Sequence, residues 1–180
     1  MLRFTRFALM ALPALTLAGC ATMNVNSYLE RGVDFAQYRT YAWGPTEALP
    51  TGDPRLDNNP FFKNRLEGAV EKQLTAKGFE KTTSTAPDLL IHYHAHITQR
   101  FDVDTVDRER GYCSDNCEPT VGAYDEGTLV LDMVDTRTNK VVWRGSARSV
   151  VNGVIDNQNL MEQQIDEAVR RMLDELPRHL

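Results

Sequence analysis

Hydrophobic positions along this chain follow two periods, and the switches between them mark its elements. From Leu89 the alternation is strict. Leu89, Ile91, Tyr93, Ala95 and Ile97 share one face, while His92, His94, His96 and Thr98 share the other. Period two over that length predicts a half-buried strand of an antiparallel sheet, with a tail through Phe101 and Val103. Residues 127–134 and 140–147 give two further strands around Asp135-Thr-Arg-Thr-Asn139, a hairpin signal. Residues 23–30 suit a first strand, and the aromatic-rich Phe35–Trp43 suits a turn leading into a second.

Elsewhere the period lengthens. Phe62, Leu66, Val70 and Leu74 recur every four residues with Ala69 beside them, which makes one apolar stripe on a helix. Asn59-Pro60 supplies its start, an amide cap followed by proline at the first helical position, and Gly78 supplies its stop. Near the C-terminus Ile165, Val169, Met172, Leu173 and Leu176 form a second stripe, with Asn159 and Glu162 resembling a capping box and Pro177 closing it. Residues 44–58, rich in proline and glycine, read as a surface loop, and so do the charged residues 107–126.

The element order is therefore β-β-α-β-β-β-α. An α+β fold of two layers satisfies every stripe: one antiparallel sheet of about five strands, with two amphipathic helices on one face.

Ahead of this domain stands a different kind of segment. Arg3 and Arg6 precede an apolar run from Phe7 to Leu17, which Leu17-Ala18-Gly19-Cys20 closes. The run is about half the length a membrane span needs. A basic start, a short apolar core and small residues before a cysteine match a bacterial lipoprotein signal and its lipobox. That resemblance implies cleavage before Cys20, acylation of Cys20, and a division into a signal at residues 1–20 and a single domain at 21–180. Ala21, standing where an aspartate would signal inner-membrane retention, implies export to the outer membrane with the domain facing the periplasm.

The 20 basic and 25 acidic residues give a net charge of −5, which becomes more negative once Arg3 and Arg6 leave with the signal. Such a balance argues against nucleic-acid binding, which needs a clustered basic surface. With Cys20 lipidated, Cys113 and Cys117 remain, and an oxidising periplasm favours a disulfide between them. So small a ring contributes about 2 kcal/mol by the chain-entropy relation. A metal clip at the same two cysteines would still lack two ligands.

Several short stretches occur in a recognisable order: the lipobox, Phe35-x-x-Tyr-Arg-Thr-Tyr-Ala-Trp43, Lys77-Gly-Phe79, Pro87-Asp-Leu-Leu-Ile91, Gly127-Thr-Leu-Val-Leu-Asp132 and Val142-Trp-Arg-Gly-Ser-Ala147. Together they resemble the bacterial lipoprotein family defined by domain of unknown function 4136, across nearly the whole chain after the signal. The resemblance implies an exported envelope lipoprotein and brings no established activity or catalytic residue. Each stretch also has a plain packing explanation: Tyr38, Tyr41 and Trp43 as core and sheet-edge aromatics, Asp88 as a strand entry, Trp143 inward and Arg144 outward.

One constellation carries candidate chemistry. His92, His94 and His96 stand on one strand face with neighbours roughly 6.6 Å apart, so two of them can chelate a divalent transition metal while the outer pair, about 13 Å apart, cannot share one ion. Asp132, pointing away from Leu129, Leu131 and Met133, is the carboxylate candidate to complete such a site. The bland alternative is a solvated sheet face. No phosphate-binding glycine loop, HExxH helix or Gly-x-Ser-x-Gly elbow is present.

The expectation is a non-enzymatic lipoprotein, without a cofactor, that is held at the outer membrane by its lipid and binds an envelope protein partner. A metal-binding module on the histidine face and a carrier of apolar ligands, should the core be under-filled, are the alternatives.

Overall fold

The computed structural model describes residues 23–45, 53–57, 59–83, 86–103 and 121–178. Six strands form a single sheet: β1 (Asn24–Leu29), β2 (Thr40–Trp43), β3 (Glu80–Lys81), β4 (Leu89–Val103), β5 (Val121–Asp135) and β6 (Lys140–Val150). Three helices accompany them: the single turn α1 (Pro54–Asp57), α2 (Pro60–Ala76) and α3 (Gln158–Leu173). A 3-10 turn at Phe35–Gln37 leads into β2.

The strand order is β1-β6-β5-β4-β2-β3. It departs from the expected antiparallel sheet of about five strands in two respects: the two-residue β3 makes a sixth strand, and the pairing is not antiparallel throughout. β2 pairs in parallel with both β4 and β3, so the sheet is mixed. The cause is connectivity: α2 carries the chain back between β2 and β4, and a crossover through a helix returns it in the same direction. Alternation reveals which face a strand buries and is silent about its direction.

Capping explains where the helices begin. Asn59 Oδ1 accepts from Phe62 N at 3.1 Å, opening α2 with Pro60 at its first position, a cap contributing about 1 kcal/mol. For α3 the cap is Asn157 rather than Asn159, its Oδ1 accepting from both Asn159 N and Leu160 N. Gly78 takes φ +89° after α2, the left-handed stop that glycine provides without strain.

The two long helices lie side by side and run in the same direction. Arg65 meets Glu162 near their starts at 3.0 Å, and Lys77 Nζ reaches the carbonyls of Asp174 and Leu176 at their ends. Leu66, Val70, Leu74, Ile165, Val169 and Met172 are buried against the inward residues of β4, β5 and β6, among them Ile91, Tyr93, Leu131, Met133 and Trp143. Each such side chain contributes roughly 1.5–3 kcal/mol on leaving water. No helix among the described residues is long and apolar enough to cross a membrane.

Candidate functional site

On the sheet face turned away from the helices, side chains stand in rows across the strands. His92 lies opposite Asp132, which lies opposite Arg144, which lies opposite Tyr28. The next row is His94, Val130, Ser146 and Asn26; the next is His96, Thr128, Arg148 and Asn24. The three histidines and Asp132 thus share a face as the alternation predicts.

The geometry separates them in chemistry. Asp132 is only 4% exposed, and both its oxygens accept from Arg144, at 2.6 and 2.8 Å. Recruiting it to a metal would break a bidentate pair and strand a guanidinium. His92 is half-buried with its ring laid over Gly44, where any side chain would collide with it. Burial pushes the His92 imidazole below its ordinary range, helped by His94 and opposed by Asp132. His94 and His96 are exposed. Among the described residues no three histidine, cysteine or acidic groups are placed to hold one metal ion. Cys20, Cys113 and Cys117 lie outside the described residues.

The motif residues act as fastenings. Asp88 Oδ2 accepts from Arg39 N, Thr40 N and Thr40 Oγ1, all at 2.9 Å, locking the start of β4 to the start of β2. Trp43 Nε1 donates to Glu71 at 2.9 Å, and the same oxygen accepts from Lys81, fastening β2 to α2 and β3. Tyr38 and Tyr41 are buried. Burial, then the bond to Asp135, pushes the Tyr38 phenol up to about 12. Trp143 is buried while Arg144 is exposed, as their opposite pointing requires.

Sequence reasoning raises an under-filled core only as a condition and does not place the gap. Between sheet and α3, at the end where β1 begins, lies a cavity of about 80 Å³. Met23, Leu56, Phe62, Leu129, Val154 and Met161 are among its walls, and they are almost wholly apolar. Its cause is a set of small residues at inward positions, Ala95, Gly127 and Ala147 on three adjacent strands and Ala168 opposite them on α3. The volume is about half that of an engineered cavity of ~150 Å³ that stays dry and takes up benzene. Small residues at three inward strand positions were the available signal.

Fold and fastenings define the class: a mixed six-stranded sheet covered on one face by helices and held together by the aromatic and acidic residues of its motifs. The chain belongs to the family described as Domain of unknown function (DUF4136), whose model matches residues 25–178. No curated protein matches its sequence. Among solved structures it is similar to a PDZ domain protein from Parabacteroides distasonis, with TM-score 0.54 and 15% identity. That match covers 88% of this chain and 37% of the other, so the chain spans little over a third of that protein. It is also similar to the PelC dodecamer from Paraburkholderia phytofirmans, with TM-score 0.52 and 10% identity over 88% of this chain and all of that one. At these identities the likeness is one of fold alone.

Proposed function

We propose that this chain is an outer-membrane lipoprotein, acylated on Cys20, whose periplasm-facing domain is a non-enzymatic binding or structural module of the cell envelope. The observation that carries the reading is Leu17-Ala-Gly-Cys20, placed three residues ahead of Met23, where the described fold begins. Three residues reach roughly 11 Å at full extension, so an acylated Cys20 holds the domain against the bilayer. Several acyl chains give firm anchoring where one gives marginal binding. Most of the motif residues support a structural role, since Tyr38, Thr40, Trp43, Asp88, Asp132 and Arg144 spend their polar groups on bonds between elements. The buried Tyr41 hydroxyl has no partner among the described residues.

Labelled palmitate fed to cells tests the anchor. The chain is expected to take up label and to fractionate with the outer membrane, and Cys20→Ser is expected to abolish both. An unlabelled parent chain, or a serine variant that still fractionates with membrane, overturns the reading. Crosslinking in intact cells is then expected to trap an envelope protein on the anchored domain.

The under-filled core favours one second reading, a carrier of apolar ligands. Ala147→Val adds two methyl groups at the cavity wall. A carrier predicts that a small apolar probe of the size of xenon, bound by the parent, is excluded in this variant; equal binding by both removes the idea.

A further inference from the structure

The end of the molecule at which the described chain begins differs from the rest of its surface. β1 starts there, with Asn24 beside Arg148. β4 and β6 finish there, β5 begins there, and both long helices start there, since α2 and α3 run in the same direction and Val150 passes to α3 through a short connection. Three large apolar side chains stand exposed at this end: Phe101 on β4 at 64%, Val150 on β6 at 49% and Leu160 in the first turn of α3 at 43%. The apolar cavity lies toward the same end, with Met23, Val151, Val154 and Ile155 in its walls. Two sets of opposing charges stand nearby, with Asp156 exposed in the connection to α3. Arg100 and Arg148 flank Glu126, and Arg55 sits between Asp53 and Asp125.

We infer that this end is a membrane-contacting face, on which Phe101, Val150 and Leu160 enter the interfacial layer of a phospholipid bilayer. The inference rests on the lipoprotein reading for its orientation, because the chain that precedes Met23 leads within three residues to Cys20. Exposed single apolar residues are ordinary on soluble surfaces. What selects a bilayer here is that the three share the end where the lipid-bearing segment must enter. Charges already neutralised by neighbours cost less to bring into a layer of low dielectric than lone ones do. The contact fixes the domain's tilt, so the opposite end, with Tyr28 and Leu29, points away from the membrane.

Tryptophan scanning of the full chain in lipid tests this. Phe101→Trp, Leu160→Trp and, at the far end, Tyr28→Trp each place an indole at a position already exposed, so folding is spared. Each chain is reconstituted into phosphatidylethanolamine–phosphatidylglycerol vesicles with brominated acyl chains, and emission is read as the difference from the parent, which subtracts Trp43 and Trp143. Side chains entering the interface sit roughly 5–10 Å deep, near the bromine-bearing carbons, so the indoles at 101 and 160 are expected to lose about half their emission. The indole at 28 is expected to lose none. No quenching at 101 and 160, or equal quenching at 28, overturns the inference. Mass measurement of the same samples separates the two failures. Acylated but unquenched chains sink the face and leave the anchor standing; quenched chains without acyl groups keep the face and sink the anchor.

Discussion

The phenol of Tyr38 donates to the carboxylate of Asp135 at 2.8 Å, joining residues 97 apart in sequence and both buried. The bond ties the turn before β2 to the hairpin after β5, two strands that are not neighbours in the sheet. Asp135 also accepts from Arg137 N at 2.7 Å and Thr138 N at 3.1 Å. One buried carboxylate therefore organises both a tight turn and a long-range contact.

Tyr38→Phe keeps the ring and removes the donor. Loss of one partner from a buried charged acceptor costs about 1–3 kcal/mol, which lowers the midpoint by roughly 2–4 °C per kcal/mol for a domain of this size. Thermal melting by circular dichroism reads the shift. An unchanged midpoint removes the bond from any account of stability.

Acid is expected to unfold the domain through a small set of carboxylates. Burial raises the Asp88 carboxyl, but bonds from Arg39, Thr40 N and Thr40 Oγ1 outweigh it and hold the group below its ordinary range. Asp135 behaves alike, burial being outweighed by Tyr38, Arg137 and Thr138. In acid the folded chain thus binds fewer protons than the unfolded one. The stabilisation is complete above about pH 4, the unfolded aspartate value, and fades as pH falls through the lower folded values. Urea unfolding between pH 2.5 and 7 is expected to follow this course, with a shallower acid slope in Asp88→Asn. Parallel slopes in parent and variant acquit Asp88.

Gly145 leaves room for Trp143. A Cβ there would stand 2.5 Å from Trp143 Cη2 and 3.0 Å from Met172 Cβ. Gly145→Ala is expected to destabilise by about 1–3 kcal/mol, the usual cost of overpacking. Trp143→Phe clears part of that space, so the double variant should lose less than the two single losses added together. Strict additivity in denaturant midpoints would show that the indole is not the obstacle.

Lys77 is buried and spends its ammonium on the carbonyls of Asp174 and Leu176, at 3.1 and 2.8 Å. Burial, then nearby Arg178, presses its pKa down against the pull of Asp174. Lys77→Met retains the stem and abandons both acceptors, at a cost of about 1–3 kcal/mol. Hydrogen exchange is expected to quicken most at the end of α3, by a larger factor than in β4 and β5. Uniform acceleration would instead indicate global loss.

Much of this architecture could be read from residues alone. Four-residue spacing from Phe62 to Leu74 and the Asn59-Pro60 start gave α2 to within a residue, and the Leu89 alternation gave β4 with its faces. The cap of α3 was misplaced because Asn157 and Asn159 are equally good acceptors, and only backbone geometry selects Asn157. β3, two exposed residues long, has no pattern to show. The histidine row was legible, whereas the commitment of Asp132 to Arg144 depends on the register of β5 against β6. The cavity lay hidden because alanine and glycine at inward positions read as well packed until their neighbours across the sheet are known.

β1, the first strand among the described residues, pairs there with β6 alone, Asn24 against Arg148 and Leu29 against Trp143. Closing that pairing waits for nearly the whole domain to be made, a distant contact of the kind that slows folding. A chain threaded through a membrane from its amino end could therefore not complete its sheet on the near side until synthesis was almost finished.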